Sequence, residues 1–250
     1  MVERMRRVVF DFDGVVCDST DEVMVTSWNA WEQWEGRTGF RRSVDEFSAA
    51  DCAIFRAVRP RVRGAGEYYV VRRALSEGIP VADQPSYDEL QHRWREHLVA
   101  FRTVFFAARE RLRRENLDQW IDLHPVYGEV IAVMRTLHSH DCLYIATMKD
   151  GESVRLILER HGLTVPIDRM LDESQITSKL EALDRFREQL GCGKADLLFV
   201  DDNVTHLLQP QAAGYPVLMT IWGNQMQEYL DLAAQHHIPL LSDCTQLLLP

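Results

Sequence analysis

Lysine is nearly missing: the chain of 250 residues has three, Lys149, Lys179 and Lys194, beside 25 arginines. Basic charge as a whole is also short, with 28 basic residues against 38 acidic ones and a net charge of −10. A field of that sign repels polyanions and argues against nucleic acid or an acidic membrane as a partner. Cysteine is sparse and odd in number, with Cys17, Cys52, Cys142, Cys192 and Cys244 forming no C-x-x-C pair. That excludes a disulfide framework and a zinc ribbon, and it fits a reducing compartment. Long apolar runs are lacking too. Val8-Val9-Phe10 is cut short by Asp11, below the roughly 7–15 apolar residues of a signal peptide. No stretch reaches the roughly 20 needed to span a membrane. The cytoplasm is the expected location.

What is present reads as an ordinary globular protein, 46% hydrophobic and 26% charged. The length suits one large domain with an insert better than two full domains. Short apolar runs end at Val8–Asp11, Leu143–Thr147, Asp196–Asp202 and Tyr215–Thr220, with a fifth candidate, Ile238–Leu241, shortened by Pro239. Helical patterns over 126–139, 152–161, 178–190, 204–213 and 225–235 separate them. Continuous apolar strands alternating with helices predict an α/β fold, a doubly wound parallel sheet covered on both faces.

Residues 18–123 break that alternation. They read as amphipathic helices at Asp21–Glu35, Val44–Ala57, Glu67–Glu77, Asp88–Phe106 and Arg109–Trp120, with no buried strand between them. The expected organisation is a core of 1–17 and 124–250 carrying an all-helical cap domain at 18–123. The cap holds 16 arginines and no lysine, and positions 41–75 carry eight arginines against four acids. Trp28, Trp31 and Trp34 recur every three residues at its start. Helix-face packing is the simpler account of them, and a stacking surface for an aromatic substrate the sharper one. The histidines, His206 among them, lack metal-ligand spacing with supporting cysteines and read as ordinary surface or core residues.

Chemistry gathers at the strand ends. Asp11-Phe12-Asp13-Gly14 places two carboxylates at i and i+2, on the same side of an extended chain, with a glycine permitting a sharp turn. Two such charges about 4 Å apart repel by about 4 kcal/mol at an effective dielectric near 20. They need a cation, a shared proton or solvent; alone, the motif could be a solvated turn. Asp201-Asp202-Asn203 closes another strand in the same way, or caps a helix. Both runs end where open α/β sheets bind ligands. Four carboxylates in one crevice suit a hard divalent cation such as Mg²⁺. Thr147 ends a third strand, where its hydroxyl can meet a phosphate oxygen or cap a turn. Lys179 opens a helix, an unfavourable place for a cation unless an anion compensates.

Taken in order, Val-Val-Phe-Asp11-Phe-Asp13-Gly14-Val-Val-Cys-Asp-Ser, Thr147, Lys179 and Asp201-Asp202 resemble the four motifs of the haloacid dehalogenase superfamily. The resemblance covers about 7–17 and 124–220. The helical insert straight after the first motif is similar to that superfamily's first cap class, and Tyr127-Gly128 to the re-entry segment of phosphoglycolate-phosphatase-like members. It implies a Mg²⁺-dependent phosphomonoester hydrolase of a small anionic metabolite. In that reading Asp11 is the nucleophile that becomes an aspartyl-phosphate, and Asp13 is the proton donor and then the base. Thr147 and Lys179 hold the phosphoryl oxygens. Asp11, the Asp13 carbonyl and Asp202 bind the metal, with Asp201 acting partly through water. Gly14 gives the ligand close approach.

The sequence departs from the pattern after Thr147, where Met148-Lys149 replaces the common Asn; Lys149 either supplements Lys179 or is simply exposed. An acid at Asp13 argues against the dehalogenase branch, and a cap without lysine excludes the branch that uses a Schiff base. Phe12-Asp13-Gly14 does not match the ion-pump motif. A phosphomutase of the same superfamily and a non-catalytic binding or assembly member are the alternatives. Receiver domains carry their acids in the reverse order and lack a cap. Arg56, Arg59, Arg61, Arg63, Arg72 and Arg73 either form a solvated helix face or grip a second anionic group on the substrate, and at least one of Arg59 and Arg63 is the expected contact. The protein is expected as a monomer or homodimer.

Overall fold

A computed structural model describes residues 5–223 and 226–249. The chain divides into two compact units, Ser19–His124 and Met1–Asp18 with Pro125–Pro250. Among the described residues no helix is long and apolar enough to cross a membrane.

The first unit is helical throughout: α1 (Thr20–Trp34), α2 (Ala49–Val58), α3 (Tyr68–Glu77), α4 (Gln84–Arg93), α5 (Arg95–Glu115) and α6 (Leu117–Asp122), with single 3₁₀ turns between some of them. Polar caps set several boundaries. Ser48 accepts the Asp51 N–H while the Asp51 carboxylate accepts the Ser48 N–H, so the pattern expected as one helix over 44–57 splits into a 3₁₀ turn at Val44–Glu46 and α2. Asp83 and Ser86 make the same reciprocal arrangement before α4, which therefore starts earlier than expected. The anticipated helix Asp88–Phe106 is broken at Trp94, and α5 runs on to Glu115. Gly78, at φ +66°, ends α3.

The core of this unit is aromatic. Trp31 and Trp34 meet Tyr69 at ring centroid distances of 5.6 and 5.5 Å and Phe101 at 6.4 and 5.7 Å, so both serve helix-face packing. Tyr68 stacks on Phe105 at 5.1 Å. Inside it lies one fully buried acid, Glu22. Arg109 binds it in a fork, Nε to Oε1 at 2.8 Å and Nη2 to Oε2 at 2.7 Å, and the Thr26 hydroxyl adds a bond of 2.6 Å.

The second unit is a six-stranded sheet of β1 (Arg7–Phe10), β2 (Leu143–Ala146), β3 (Met170–Leu171), β4 (Leu197–Asp201), β5 (Val217–Thr220) and β6 (Leu240–Leu241), in the order β3-β2-β1-β4-β5-β6. Every pairing is parallel. Helices α7 (Gly128–Ser139), α8 (Gly151–Arg160), α9 (Lys179–Leu190), α10 (Val204–Ala212) and α11 (Gln227–Gln235) make the connections. The expected start of the last helix at residue 225 lies outside the described residues. The fold is the doubly wound α/β class, and β3 is the one strand that periodicity does not reveal. Buried side chains on the sheet pack against α9 and α11, among them Val9, Tyr144, Phe199 and Met219 against Phe186 and Tyr229.

Register places the chemistry. Phe10 stands beside Ile145 of β2 and Val200 of β4. The next residues along, Asp11, Ala146 and Asp201, therefore line one edge. The chain leaves β1 toward β2 on one side and returns through β4 on the other, so the reversal of strand order falls at β1, where open sheets form a crevice.

Removing one partner of the Glu22–Arg109 fork leaves a bare buried charge. Arg109→Met is expected to lower stability by about 3–5 kcal/mol, read from urea unfolding of the whole chain; an unchanged midpoint would contradict that assignment.

Candidate active site

Asp11 is the first residue past β1, and its backbone N–H still donates to the Val200 carbonyl at 2.9 Å. The residue is 6% exposed. Lys179, at the first position of α9 behind its N-cap Ser178, sends its ammonium inward. Nζ lies 2.6 Å from Asp11 Oδ1, 2.7 Å from the Ala146 carbonyl and 3.7 Å from Asp201 Oδ2. This explains a cation at a helix N-terminus: it is neutralised by carboxylates from two strands instead of facing the dipole in solvent.

Asp201 is fully buried at the end of β4. Its Oδ1 accepts the Asn203 N–H at 2.8 Å, and both oxygens face His206 Nδ1, at 3.1 and 3.3 Å. Burial pushes the Asp11 carboxyl above its ordinary range, against the pull of Lys179. For Asp201 burial acts in the same direction, but His206 and Lys179 outweigh it and hold the carboxyl below the ordinary range. The two acids are thus driven apart in acidity although they share Lys179.

Asp13 carries the second contact. Lys149 Nζ lies 3.1 Å from Asp13 Oδ1, and the Lys149 backbone N–H donates to Thr147 Oγ1 at 3.1 Å. Lys149 is 2% exposed, so the simple surface lysine is ruled out. Thr147 is itself buried, with its N–H bound to the Leu171 carbonyl of β3 at 3.0 Å. The short strand that the sequence hides therefore fixes the residue at the end of β2.

The turn at Gly14 brings in Asp202. Gly14 has φ +81°, the region that favours glycine, and its N–H reaches the Cys17 carbonyl at 2.8 Å. A Cβ there would lie 2.1 Å from Asp202 Oδ2. A Cβ on Gly223, past β5, would lie 2.0 Å from the Gly14 carbonyl oxygen and 2.9 Å from the same carboxylate oxygen. Two bare backbones thus hold Asp202 against the Asp13-Gly14 turn. Trp222 secures the second of them by donating Nε1–H to the Val15 carbonyl at 3.0 Å.

The donor set fits a hard cation. Asp202, the main-chain oxygens of the Asp13-Gly14 turn and Asp11 all offer oxygen. Asp11, Asp201 and His206 also bring ligand atoms within 4.8 Å of one another. A nitrogen donor suits Mg²⁺ poorly, however, and His206 already serves Asp201. His206, expected from its spacing to be an ordinary surface or core histidine, stands at the site against Asp201. The available signal was its position, in the first turn of the helix that Asn203 caps directly after the paired acids.

Arg59 and Arg63 belong to the helical unit. Arg59 Nη2 donates to Ser19 Oγ at 3.3 Å, and Arg63 pairs with Asp88 at 2.8 Å.

Lys179→Met removes the cation that opposes burial at Asp11. The Asp11 carboxyl should then titrate at a still higher pH than in the unaltered protein, as followed by carbon-detected NMR of the metal-free forms. A shift to lower pH would contradict the arrangement. Gly14→Ala should both strain the turn and displace Asp202, with an expected loss of at least about 1–2 kcal/mol from the left-handed backbone alone, measurable as a lowered urea midpoint.

The profile of the haloacid dehalogenase-like hydrolases matches residues 5–214. No curated sequence matches significantly. Among solved structures, one described as a predicted phosphoglycolate phosphatase from Haemophilus somnus is similar at TM-score 0.65 and 16% identity, over 99% of this chain and 98% of that one. A predicted phosphatase from Clostridium acetobutylicum gives TM-score 0.61 at 13% identity, over 98% and 97%. A haloacid dehalogenase-like hydrolase from Streptococcus pneumoniae gives 0.61 at 16%, over 97% of each chain. At such identities the structures speak for the fold, while the profile spans most of the sequence: the chain belongs to the haloacid dehalogenase-like hydrolases.

Proposed function

We propose that the protein is a Mg²⁺-dependent phosphomonoester hydrolase acting on a small anionic metabolite through an aspartyl-phosphate on Asp11. The observation that carries this reading is the buried Lys179 ammonium 2.6 Å from Asp11 Oδ1, with a second acid two residues further along. A carboxylate attacking a phosphate dianion is opposed by charge, and a desolvated cation at the attacking group offsets that repulsion. The phosphatase descriptions of two of the similar structures point the same way.

Asp11, the Asp13 carbonyl and Asp202 would hold the metal ion, with Asp201 in support; when bound, it supplies positive charge to the phosphoryl oxygens. In the first half-reaction an Asp11 oxygen forms a bond to phosphorus, the ester P–O bond breaks, and Asp13 gives its proton to the departing alkoxide. In the second, Asp13 takes a proton from water as that water attacks phosphorus, releasing inorganic phosphate and restoring Asp11. Lys179 and Thr147 steady the phosphoryl oxygens. Lys149, bonded to Asp13 and through its backbone to Thr147, orients the proton-carrying carboxyl relative to that clamp. Arg59 and Arg63 are proposed to contact a second anionic group of the substrate.

A screen of phosphorylated metabolites with and without Mg²⁺ tests the reading. Phosphate release should require the metal, stop on chelation, and fall by at least about 10³-fold in Asp11→Asn. Robust turnover by that variant would refute the nucleophile. For the arginines, single alanine variants at Arg59 and Arg63 should raise KM; unchanged KM and kcat in both would remove them from the substrate site.

A further inference from the structure

The helical unit contains a cleft of about 350 Å³, lined by Trp28, Trp31, Phe47, Arg41 and Arg72 among others. A volume near this size is at the lower end of what small-molecule sites occupy. All of its walls come from α1, α2, α3 and the segment between α1 and α2. It is therefore complete within one unit.

Its charges do not close on themselves. Arg72 is 7% exposed, yet its guanidinium makes no hydrogen bond or ion pair to a carboxylate among the described residues, and Asp51 acts on it only through its charge. Nε donates to Ser27 Oγ at 3.0 Å, and Nη2 donates to the same oxygen at 2.8 Å and to the Met24 carbonyl. Nη1 has no hydrogen-bond partner among the described residues. Burial, with the neighbouring charge of Arg41 adding to it, pushes this guanidinium down to about 9. Arg41 lies over Trp28 at 4.1 Å and over Phe47 at 4.2 Å from the ring centroids, and its side chain makes no ion pair among the described residues. The carboxylates on the wall are engaged elsewhere. Glu32 is bound by Arg37 at 2.8 Å, and Asp51 accepts from Ser48 Oγ at 2.7 Å in the cap of α2.

Two mutually repelling guanidiniums beside each other, one of them buried, leave a local excess of positive charge that Asp51 offsets only in part. A buried cation that no carboxylate touches is costly, and an anion entering the cleft would offset both its desolvation and the repulsion. The aromatic walls favour a flat apolar body behind the anionic head, and a guanidinium matches a carboxylate head in a fork.

We propose that this cleft is a binding site for an organic anion with one carboxylate-like head and an aromatic body. The site stands independently of the chemistry proposed at Asp11. The same ligand chemistry could belong to a free effector or to the remote end of a substrate.

Titration calorimetry on the full metal-free chain, with benzoate, indole-3-carboxylate and neutral benzamide as probes, tests the site without any turnover. At least one of the two carboxylates should bind, and benzamide should bind at least about tenfold more weakly. Arg41→Gln should weaken the carboxylate by about tenfold or more while leaving the urea midpoint nearly unchanged. Arg72→Gln should do the same or worse; because Arg72 also ties α3 to α1, Arg41→Gln is the decisive variant. No binding by either carboxylate up to about 5 mM, a range weaker than ordinary metabolite sites, would overturn the proposal. So would carboxylate binding that Arg41→Gln leaves intact. In a hydrolysis assay, competition with the phosphorylated substrate marks the cleft as part of the substrate's seat, and inhibition or activation without competition marks a separate effector. Loss of turnover in Asp11→Asn with probe binding retained would separate the two sites.

Discussion

A single ammonium group, Lys179 Nζ, organises the sheet edge. It is nearly sealed from water and is held by Asp11, the Ala146 carbonyl and the flank of Asp201. A buried charge is tolerable only when paired and hydrogen-bonded, so three strands must end in register for α9 to begin where it does. The converse also holds. The carboxylates of β1 and β4 converge because a cation lies between them, and His206 Nδ1 lies against both oxygens of Asp201. The fold therefore makes a site of high charge density before any ligand arrives.

Much of the sheet could be read in advance because its central strands must be covered on both faces. Val8–Phe10, Leu143–Ala146 and Leu197–Val200 are continuous apolar runs for that reason. The edge strand Met170–Leu171 is two half-buried residues long, too short to carry any period, and so it stays invisible although it anchors Thr147. In the helical unit the breaks at Ser48 and Trp94 differ in kind. Ser48 with Asp51 is a capping pair that could have been recognised; Trp94 offers no glycine, proline or cap, and the amphipathic pattern runs through it.

The residues of the site divide along the same line. Asp11, Asp13 and the Asp201-Asp202 pair announce themselves because adjacent acids at strand ends demand an explanation. Lys179 does so because a cation opening a helix runs against the dipole. Lys149 and His206 carry no such local contradiction. Lys149 lies in the bend before the N-cap of α8 and His206 in the first turn of α10, and each acquires meaning only from a partner, 136 residues away or five, respectively. Contacts of that sort depend on where the chain passes, which residue types alone do not encode.

The facing backbones of Gly14 and Gly223 have a consequence for changing this protein's selectivity. Any side chain at either position would collide with the other turn or with Asp202. The two loops can therefore vary only around a fixed point of contact, like a pair of hinges riveted together at one spot. Diversity introduced near the sheet edge must come from positions flanking that rivet, and a library that randomises through it would lose the acid it was meant to preserve.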